Sequence, residues 1–276
     1  MKKSLLVLDI DGTLTNSKKE ITAPTKAAIR KIQENGVSVA IASGRPTPGT
    51  KMAADALELD KFGGYVLSFN GGRLLNWKTK QVVMEEVISP ELAADLCDDA
   101  NEYGLGILTY DANGALAGTD IDEYMELEAR INHIPLEYVG NFRDVVDYPV
   151  NKCLMTGEPE YLEKVEKELR EKYEGRLNVF RSEPFFLELM PPGIDKAAVL
   201  ERFIPMIGVE REQVICCGDG FNDLTMIKFA GVGVAMANAR EEVKAAADYI
   251  TASNDEDGIV KVIEKFYKNF LVEKEK

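Results

Sequence analysis

The sequence predicts an α/β protein with a doubly wound, mainly parallel sheet and an inserted α+β domain. Short apolar runs alternate with helical segments in the first 42 residues and again in the last third of the chain. That alternation is typical of strands buried on both faces of a parallel sheet. Between these regions the pattern changes to hairpin-like strands and acidic helices. The length of 276 residues also suits two domains better than one.

The first strand and helix are indicated by residues 5–36. Residues 5–8 are uniformly apolar and end abruptly at Asp9, as expected of a buried parallel strand with polar residues at its carboxyl end. Thr22 can cap a helix that ends near Gly36, and residues 37–42 form a second apolar run. Together these segments predict one βαβ unit.

The same alternation returns in the last third of the chain. Apolar runs at 214–217 and 232–235 predict two more buried strands, and residues 249–250 predict a short third one. The predicted helices of this region lie at residues 223–230, 240–247 and 258–270. We therefore expect a sheet with helices on both faces.

The middle of the chain predicts an insertion. Hairpin-like alternation at residues 66–83 is followed by charged helices near 90–103 and 161–173, and then by paired strands around Val179 and Leu187. We place the insert at 84–190, so that residues 1–83 and 191–276 form the sheet domain, and both parts have ordinary domain sizes. The insert holds 25 acidic and 9 basic residues, which predicts a well-solvated surface.

Composition disfavours several classes of partner. Lys and Arg number 33 against 47 Asp and Glu, a net charge of −14, which opposes nonspecific binding to nucleic acid or to an anionic membrane. No uncharged apolar stretch approaches the roughly 18 residues that span a bilayer. Asp9 interrupts the first apolar run, so we expect a cytoplasmic protein. The four cysteines lack CxxC spacing, which predicts buried thiols, no disulfide framework and no zinc site.

The first candidate site cluster is Asp9-Ile10-Asp11-Gly12-Thr13. Its two carboxylates are two residues apart and project on one side of an extended chain, so they could divide the roles of nucleophile and proton donor. An EF-hand calcium loop is the alternative, since oxygen-bearing side chains fall at several of its ligand positions. Leu14 stands where that loop requires glycine, and a predicted strand instead of a helix precedes Asp9, so we disfavour the calcium loop.

Two further clusters could bind an anion. Ser43-Gly44-Arg45 follows the second predicted strand and supplies a hydroxyl, an open glycine amide and a cation. Alone, such a Ser-Gly pair is more often only a turn. Lys196 follows Asp195, which can cap a helix and place the lysine near its positive end. Taken singly, Lys196 would be an ordinary surface lysine.

The fourth cluster, Gly218-Asp219-Gly220-Phe221-Asn222-Asp223, adds two carboxylates and an amide after the strand at 214–217. Asp223 could equally be a helix cap. Three of the four clusters lie just beyond predicted strand ends, where open parallel sheets bind ligands. So many anions at one edge need a hard divalent cation, and magnesium fits oxygen ligands best. The only histidine, His133, lies in the insert, so a serine nucleophile would lack a base, and carboxylate chemistry on a phosphoryl group remains.

In this order, the four clusters resemble the motifs of haloacid dehalogenase (HAD) superfamily phosphatases. Ser68-Phe69-Asn70-Gly71-Gly72 and an insert between the second and third motifs further resemble the Cof-type branch with a type IIB cap. The resemblance spans essentially the whole chain and implies the HAD fold, which is a Rossmann-like core with an inserted cap. Ala197 stands where the third motif usually has glycine, a mild departure.

The resemblance implies a phosphatase that uses Mg²⁺ and acts on small phosphorylated metabolites, such as sugar phosphates or phosphorylated cofactors. Asp9 would be the nucleophile that forms an aspartyl-phosphate, and Asp11 the general acid and base. The implied metal ligands are Asp9, the carbonyl of Asp11, Asp219 and Asp223. The implied phosphate-binding residues are Ser43, Gly44, Lys196 and Asn222. The inserted cap would select the substrate.

Two other functions stay open at this stage. A sugar phosphomutase of the same superfamily begins with the same Asp-x-Asp-Gly-Thr motif and would be recognised by an isomerised product. A noncatalytic metabolite-binding protein is the second alternative. The presence of both the nucleophile and the proton-transfer position disfavours it, because a binding protein needs neither. The oligomeric state is not indicated by the sequence.

Overall fold

A computed structural model describes residues 4–271 and divides the chain into two compact units. The core unit comprises the residues up to Gly44, Thr50–Met84 and the residues from Asp195 onward. The insert unit comprises Glu85–Ile194 and a short segment, Arg45–Gly49. The insert unit ends four residues later than the expected limit at 190, and the sequence pattern does not predict that Arg45–Gly49 belongs to it.

The strands and helices of the described residues are defined as follows. The strands are β1 Ser4–Leu8, β2 Val37–Ala42, β3 Tyr65–Ser68, β4 Arg73–Asn76, β5 Val82–Glu85, β6 Gly106–Tyr110, β7 Ala115–Ala117, β8 Leu136–Tyr138, β9 Cys153–Thr156, β10 Asn178–Glu183, β11 Phe186–Met190, β12 Val214–Gly218, β13 Val232–Ala235 and β14 Tyr249–Ile250. The helices are α1 Ala23–Glu34, α2 Lys51–Ala56, α3 Leu59–Phe62, α4 Pro90–Tyr103, α5 Glu123–Asn132, α6 Phe142–Val145, α7 Pro159–Lys172, α8 Lys196–Phe203, α9 Leu224–Phe229, α10 Glu241–Ala246, α11 Gly258–Phe266 and α12 Lys268–Leu271.

The core unit is built on an eight-stranded sheet in the order β14-β13-β12-β1-β2-β3-β4-β5. The six strands from β14 to β3 run parallel, and β4 pairs antiparallel with β3. Chain order moves outward from β1 on one side through β2 and β3, and on the other through β12 and β13. The sheet is therefore doubly wound, which confirms the predicted α/β class with its Rossmann-like core.

β1 is central because its apolar side chains are covered on both faces. Leu5, Leu6, Val7 and Leu8 are all fully buried. Leu6 and Leu8 belong to the hydrophobic cluster on one side of the sheet, whereas Leu5 and Val7 belong to the cluster on the other. Alternate side chains of a strand point to opposite faces, so a uniformly apolar run supplies two layers of packing at once. Asp9, the next residue, leaves the sheet at its carboxyl end.

Several predicted helices differ from the structure at their ends. The helix predicted at 258–270 is two helices, α11 and α12, because α11 ends at Phe266 with Tyr267 as its C-cap. The helix predicted to start at 223 begins at Leu224, after a 3₁₀ turn at Phe221–Asp223. α2 and α3 are not predicted; they are six and four residues long, too short to show a helical period.

The insert unit is an α+β arrangement. Its six-stranded sheet has the order β10-β11-β9-β6-β7-β8. Neighbouring strands are antiparallel except for the parallel pair β7 and β8. α4 and α7 bury their apolar faces in one hydrophobic cluster with strand residues such as Ile107, Met155 and Leu187. No helix within residues 4–271 is both long and apolar enough to cross a lipid bilayer.

Candidate active site

Polar residues converge where the central parallel strands of the core unit end. Asp9 follows β1, Ser43 follows β2, and Asp219 follows β12. Leu8 is in register with Ile41 on one side and with Cys217 on the other, so the three chain segments leave the sheet at the same level. The carboxyl edge of a doubly wound sheet is its usual ligand-binding edge.

Lys196 is the central cation of this edge. Its Nζ lies 2.8 Å from Asp9 Oδ1 and 2.5 Å from Asp223 Oδ1, and its side chain is fully buried. Asp195 brings it there by capping α8, because its carboxylate accepts hydrogen bonds from the backbone of residues 197 and 198. Lys196 is thus a buried ion-pair partner, contrary to the reading of it as an ordinary surface lysine.

Burial sets the electrostatics of the group. It raises the pKa of Asp9 to about 8, with the nearby Asp223 carboxylate acting in the same direction and Lys196 opposing it. Burial alone would lower the pKa of Lys196, but the adjacent carboxylates of Asp223 and Asp9 raise it. Lys196 is therefore held as a cation, and the carboxylates of Asp9 and Asp223 share its single positive charge.

Asp219 completes an acidic cluster. One carboxylate oxygen each from Asp9, Asp219 and Asp223 lie within 4.8 Å of one another. Thr13 donates from Oγ1 to Asp219 Oδ1 at 2.9 Å. Burial raises the pKa of Asp219 to about 6, against the lowering effect of that Thr13 hydrogen bond. Three carboxylate oxygens at this spacing, two of them from Asp9 and Asp219 whose pKa values burial raises, fit a hard divalent cation.

Asp223 holds the loop of the fourth cluster in place. Its Oδ2 accepts hydrogen bonds from the backbone N–H groups of Asp219, at 3.0 Å, and Gly220, at 2.9 Å. Asp223 is the residue before α9, but its side chain makes no capping hydrogen bond to that helix. The bond from Gly220 instead closes the 3₁₀ turn at Phe221–Asp223. One carboxylate oxygen orients the loop and the other meets Lys196.

Glycine is required after Asp11. Gly12 has a φ of +78°, and a Cβ on it would lie 2.3 Å from Asp219 Oδ2. Any larger residue would therefore displace the carboxylate of Asp219 and strain the backbone. Asn238 also donates to the Gly12 carbonyl oxygen at 2.8 Å. The close approach of these two loops explains why Gly12 separates Asp11 from Thr13.

Asp11 lies at the open side of the cluster. About a third of its side chain is exposed, and Lys19 Nζ lies 2.8 Å from its Oδ1. Its carboxylate is not among the three oxygens that cluster for a cation, which is compatible with the expected use of its carbonyl. Lys19 adopts a left-handed φ of 62°. The contact between Lys19 and Asp11 could not be predicted from the sequence, because no local pattern shows that this turn residue lies against Asp11.

The expected phosphate-binding residues occupy neighbouring loops. Ser43 is buried, and its carbonyl accepts a hydrogen bond from the backbone of Asn70 at 2.9 Å. Asn222 is exposed and donates from Nδ2 to Asn70 Oδ1 at 3.0 Å. Arg45 belongs to the insert unit, where it donates to the carbonyl oxygens of Gly49 and Ile131. Asn70 is a residue of the site to which sequence reasoning assigned no role.

A doubly wound sheet that carries three carboxylates and a buried lysine at its carboxyl edge defines a Rossmann-like enzyme with an acidic active site. The family model of haloacid dehalogenase-like hydrolases matches residues 6–263. The chain belongs to this family, and the predicted resemblance is confirmed.

Known proteins resemble the chain over nearly all of its length. The 5-amino-6-(5-phospho-D-ribitylamino)uracil phosphatase YcsE of Bacillus subtilis is 31% identical over 260 residues, which cover 94% of each protein. The crystal structure of a haloacid dehalogenase-like hydrolase from Bacteroides thetaiotaomicron is 48% identical, has a TM-score of 0.92, and is matched over 96% of this chain and 99% of that one. The HAD subclass IIB sugar phosphatase BT4131 is 25% identical with a TM-score of 0.76, over 97% and 99% of the two chains. The protein is a hydrolase of the HAD phosphatase class.

Proposed function

We propose that this phosphatase depends on Mg²⁺ and hydrolyses small phosphomonoesters through an aspartyl-phosphate on Asp9. One observation carries the proposal: the buried Asp9 carboxylate is hydrogen-bonded to Lys196 and lies within 4.8 Å of the carboxylate oxygens of Asp219 and Asp223. A nucleophile, a fixed cation and further oxygen ligands are then present at one point. Phosphoryl transfer requires chiefly such positioning and charge stabilisation.

The residues that would hold Mg²⁺ are Asp9, Asp219 and Asp223 through their carboxylates and Asp11 through its carbonyl. The bound ion would neutralise charge on the phosphoryl oxygens. The charge balance supports this assignment, because a dianionic substrate and three carboxylates would otherwise face only Lys196. At about 4 Å and an effective dielectric near 20, each like-charge contact costs roughly 4 kcal/mol.

In the proposed reaction, Asp9 is the nucleophile and Asp11 transfers the proton. An oxygen of Asp9 attacks phosphorus, the bond to the leaving oxygen breaks, and Asp11 donates a proton to that oxygen. Asp11 then takes a proton from water, the water oxygen attacks phosphorus, and the bond from phosphorus to Asp9 breaks. Lys196, Ser43, the Gly44 amide and Asn222 hold the phosphoryl oxygens during both steps.

The substrate class is inferred from relatives and from the two-unit organisation. YcsE is a phosphatase of a phosphorylated ribitylaminouracil, and BT4131 is a sugar phosphatase. We extend this to the chain as sugar phosphates or phosphorylated cofactors. The insert unit is assigned the selection of the leaving group, since the nucleophile, the proton-transfer residue and the proposed metal ligands all belong to the core unit. Variation of the insert would then change the substrate without changing the chemistry.

The function is tested with a panel of phosphomonoesters and a phosphate-release assay in the presence and absence of Mg²⁺. We expect release from several small sugar phosphates or phosphorylated cofactors, and loss of that release with a chelator. Activity that persists without any divalent cation would contradict the metal requirement. Isomerised sugar phosphate formed in place of free phosphate would contradict the hydrolase assignment and favour a mutase.

Asp11→Asn is expected to lower turnover by about a hundredfold to ten-thousandfold, the range for loss of a general acid–base residue. For p-nitrophenyl phosphate, the rate of the first step, formation of the aspartyl-phosphate, should fall less, because that leaving group needs no proton. Single-turnover kinetics with both substrate types measures the difference. Asp60→Asn, an exposed carboxylate of the same unit, makes the same change of charge and should retain parent activity. If Asp11→Asn and Asp60→Asn lost the same amount of activity, Asp11 would not be the general acid and base.

Asp219→Asn is expected to raise the Mg²⁺ concentration needed for half-maximal activity by at least about tenfold, because one charged oxygen ligand is lost. Activity at saturating Mg²⁺ should recover in part, since Asp219 is not assigned to the bond-breaking steps. A titration of activity against Mg²⁺ separates the two effects. An unchanged Mg²⁺ midpoint would show that Asp219 does not hold the ion.

A further inference from the structure

The turn between β3 and β4 has an unusual backbone. Phe69, Asn70 and Gly71 have consecutive positive φ values of 53°, 54° and 103°. Glycine adopts this region freely and asparagine tolerates it, but a bulky residue such as phenylalanine rarely does. Such strain persists only where the surroundings over-determine the conformation, and it is concentrated at functional sites. This turn is the Ser68–Gly72 motif, to which the proposed mechanism assigns no role.

The turn is held by the Ser43 loop on one side and by the start of α8 on the other. The Ser43 N–H donates to the Leu67 carbonyl at 2.8 Å, and the Asn70 N–H donates to the Ser43 carbonyl at 2.9 Å. On the other side, a Cβ on Gly71 would lie 2.9 Å from the Asp195 carbonyl oxygen, so the turn packs closely against the start of α8. The backbone of Asn70 is therefore held between the Ser43 loop and the helix that begins with Lys196.

The side chain of Asn70 lies between two residues that we assign to phosphate binding. Its Oδ1 accepts the hydrogen bond from Asn222, 3.0 Å away. A Cβ on Gly44 would lie 3.2 Å from both amide atoms of Asn70, so the amide covers the face of Gly44. Because the bond from Asn222 engages the oxygen, the orientation of the amide is fixed, and Nδ2 is the atom available to donate to a ligand.

We propose that Asn70 is a further substrate-binding residue whose Nδ2 donates a hydrogen bond to a non-bridging oxygen of the phosphoryl group. The proposal rests on the proposed function, and adds a donor to the set formed by Ser43, Gly44, Lys196 and Asn222. A neutral amide supplies hydrogen-bond donors without adding negative charge beside the acidic cluster. In this role, the strained turn holds the Asn70 amide on a rigid backbone.

Two substitutions distinguish the contribution of the Asn70 side chain from that of its left-handed backbone. Asn70→Gly removes the amide and relieves the left-handed conformation. Asn70→Asp keeps an oxygen that accepts from Asn222 but replaces the donor with a negative charge. Lys80→Gly is the matched control for phosphate binding and activity: Lys80 lies in the same unit and also has a positive φ, 59°. Its Nζ lies 3.5 Å from the centroid of the Trp77 ring, and Lys80 is not among the residues that we assign to phosphate binding.

The measurements are the dissociation constant for inorganic phosphate in the presence of Mg²⁺, kcat/KM for p-nitrophenyl phosphate, and the melting temperature. We expect Asn70→Gly to weaken phosphate binding and lower kcat/KM by about tenfold to a hundredfold, as for loss of a hydrogen bond to a charged ligand. Its melting temperature should not fall. Asn70→Asp should lose more phosphate affinity and kcat/KM, and Lys80→Gly should match the parent in both.

Phosphate affinity and kcat/KM within about twofold of the parent in both Asn70 variants would overturn the proposal, as would a parent chain that binds no phosphate. If Asn70→Gly fails to fold, Asn70→Asp decides, because aspartate tolerates the left-handed region. A parent that binds phosphate through Asn70 but hydrolyses no monoester would support the proposal and contradict the proposed function. The two failures are thus distinguishable.

Discussion

Asp9→Asn is expected to lose phosphatase turnover by about a thousandfold or more while it folds like the parent chain, because an amide cannot attack phosphorus to form the covalent intermediate. The change is nearly isosteric, and the amide oxygen can still accept the hydrogen bond that Lys196 Nζ makes to Asp9 Oδ1 at 2.8 Å. Steady-state phosphate release measures the loss. Circular dichroism and melting temperature show that the fold is kept.

The stability of the metal-free protein provides an independent readout of the same variant. The pKa of Asp9 is raised in the folded chain from 3.8 to about 8, so the folded state binds the extra proton between these values. The free energy of unfolding therefore falls as the pH rises through this window. Asparagine cannot ionise, so above pH 8 the metal-free variant should melt no lower than the parent. Retained turnover with any substrate of the panel would refute Asp9 as the nucleophile.

Lys196→Met is expected to produce the largest loss of stability. Lys196 is fully buried and pairs with both Asp9 and Asp223. Above pH 8, where Asp9 is ionised, its removal leaves two buried carboxylates without their cation, and breaking a buried pair in this way costs about 3–5 kcal/mol of unfolding free energy. Methionine has similar length, so the loss reports charge more than volume. Denaturant titration of the metal-free protein measures it.

Mg²⁺ should restore part of the stability that Lys196→Met loses, since a bound cation would again compensate Asp9 and Asp223. Lys51→Met is the control. Lys51 pairs with Asp55, but both side chains are substantially exposed, and exposed pairs are worth less than about 1 kcal/mol. If Lys196→Met were as stable as Lys51→Met without metal, the buried lysine would not balance the charge of the site.

The sheet and most of the acidic site could be predicted because their signals are local. A uniformly apolar run such as 5–8 identifies a doubly covered strand, and the polar residues that follow it must lie at the strand end. Asp9 and Asp219 therefore meet at one edge once β1 and β12 are parallel neighbours. The position of Lys196 relied on the resemblance, because nothing in its local sequence indicates burial.

The site contacts that could not be predicted join segments that are far apart in the sequence. Lys19 meets Asp11 and Asn70 meets Asn222, and neither pair shares a helix or strand whose period would reveal it. Arg45 is expected from the sequence to offer its charge to an anion; the structure adds hydrogen bonds from its guanidinium to two backbone carbonyls of the insert unit, which no sequence pattern indicates. Such details are determined by turn geometry and tertiary packing, to which composition and periodicity are insensitive.

The most direct test of the account is a crystal structure of the protein grown with Mg²⁺ and beryllium fluoride, which mimics a phosphorylated aspartate. We predict beryllium bonded to the carboxylate of Asp9, with Mg²⁺ held by Asp9, Asp219, Asp223 and the carbonyl of Asp11. Lys196 should contact the fluorine atoms. A mimic bonded to another side chain, or an ion bound away from the three carboxylates, would contradict the proposed chemistry.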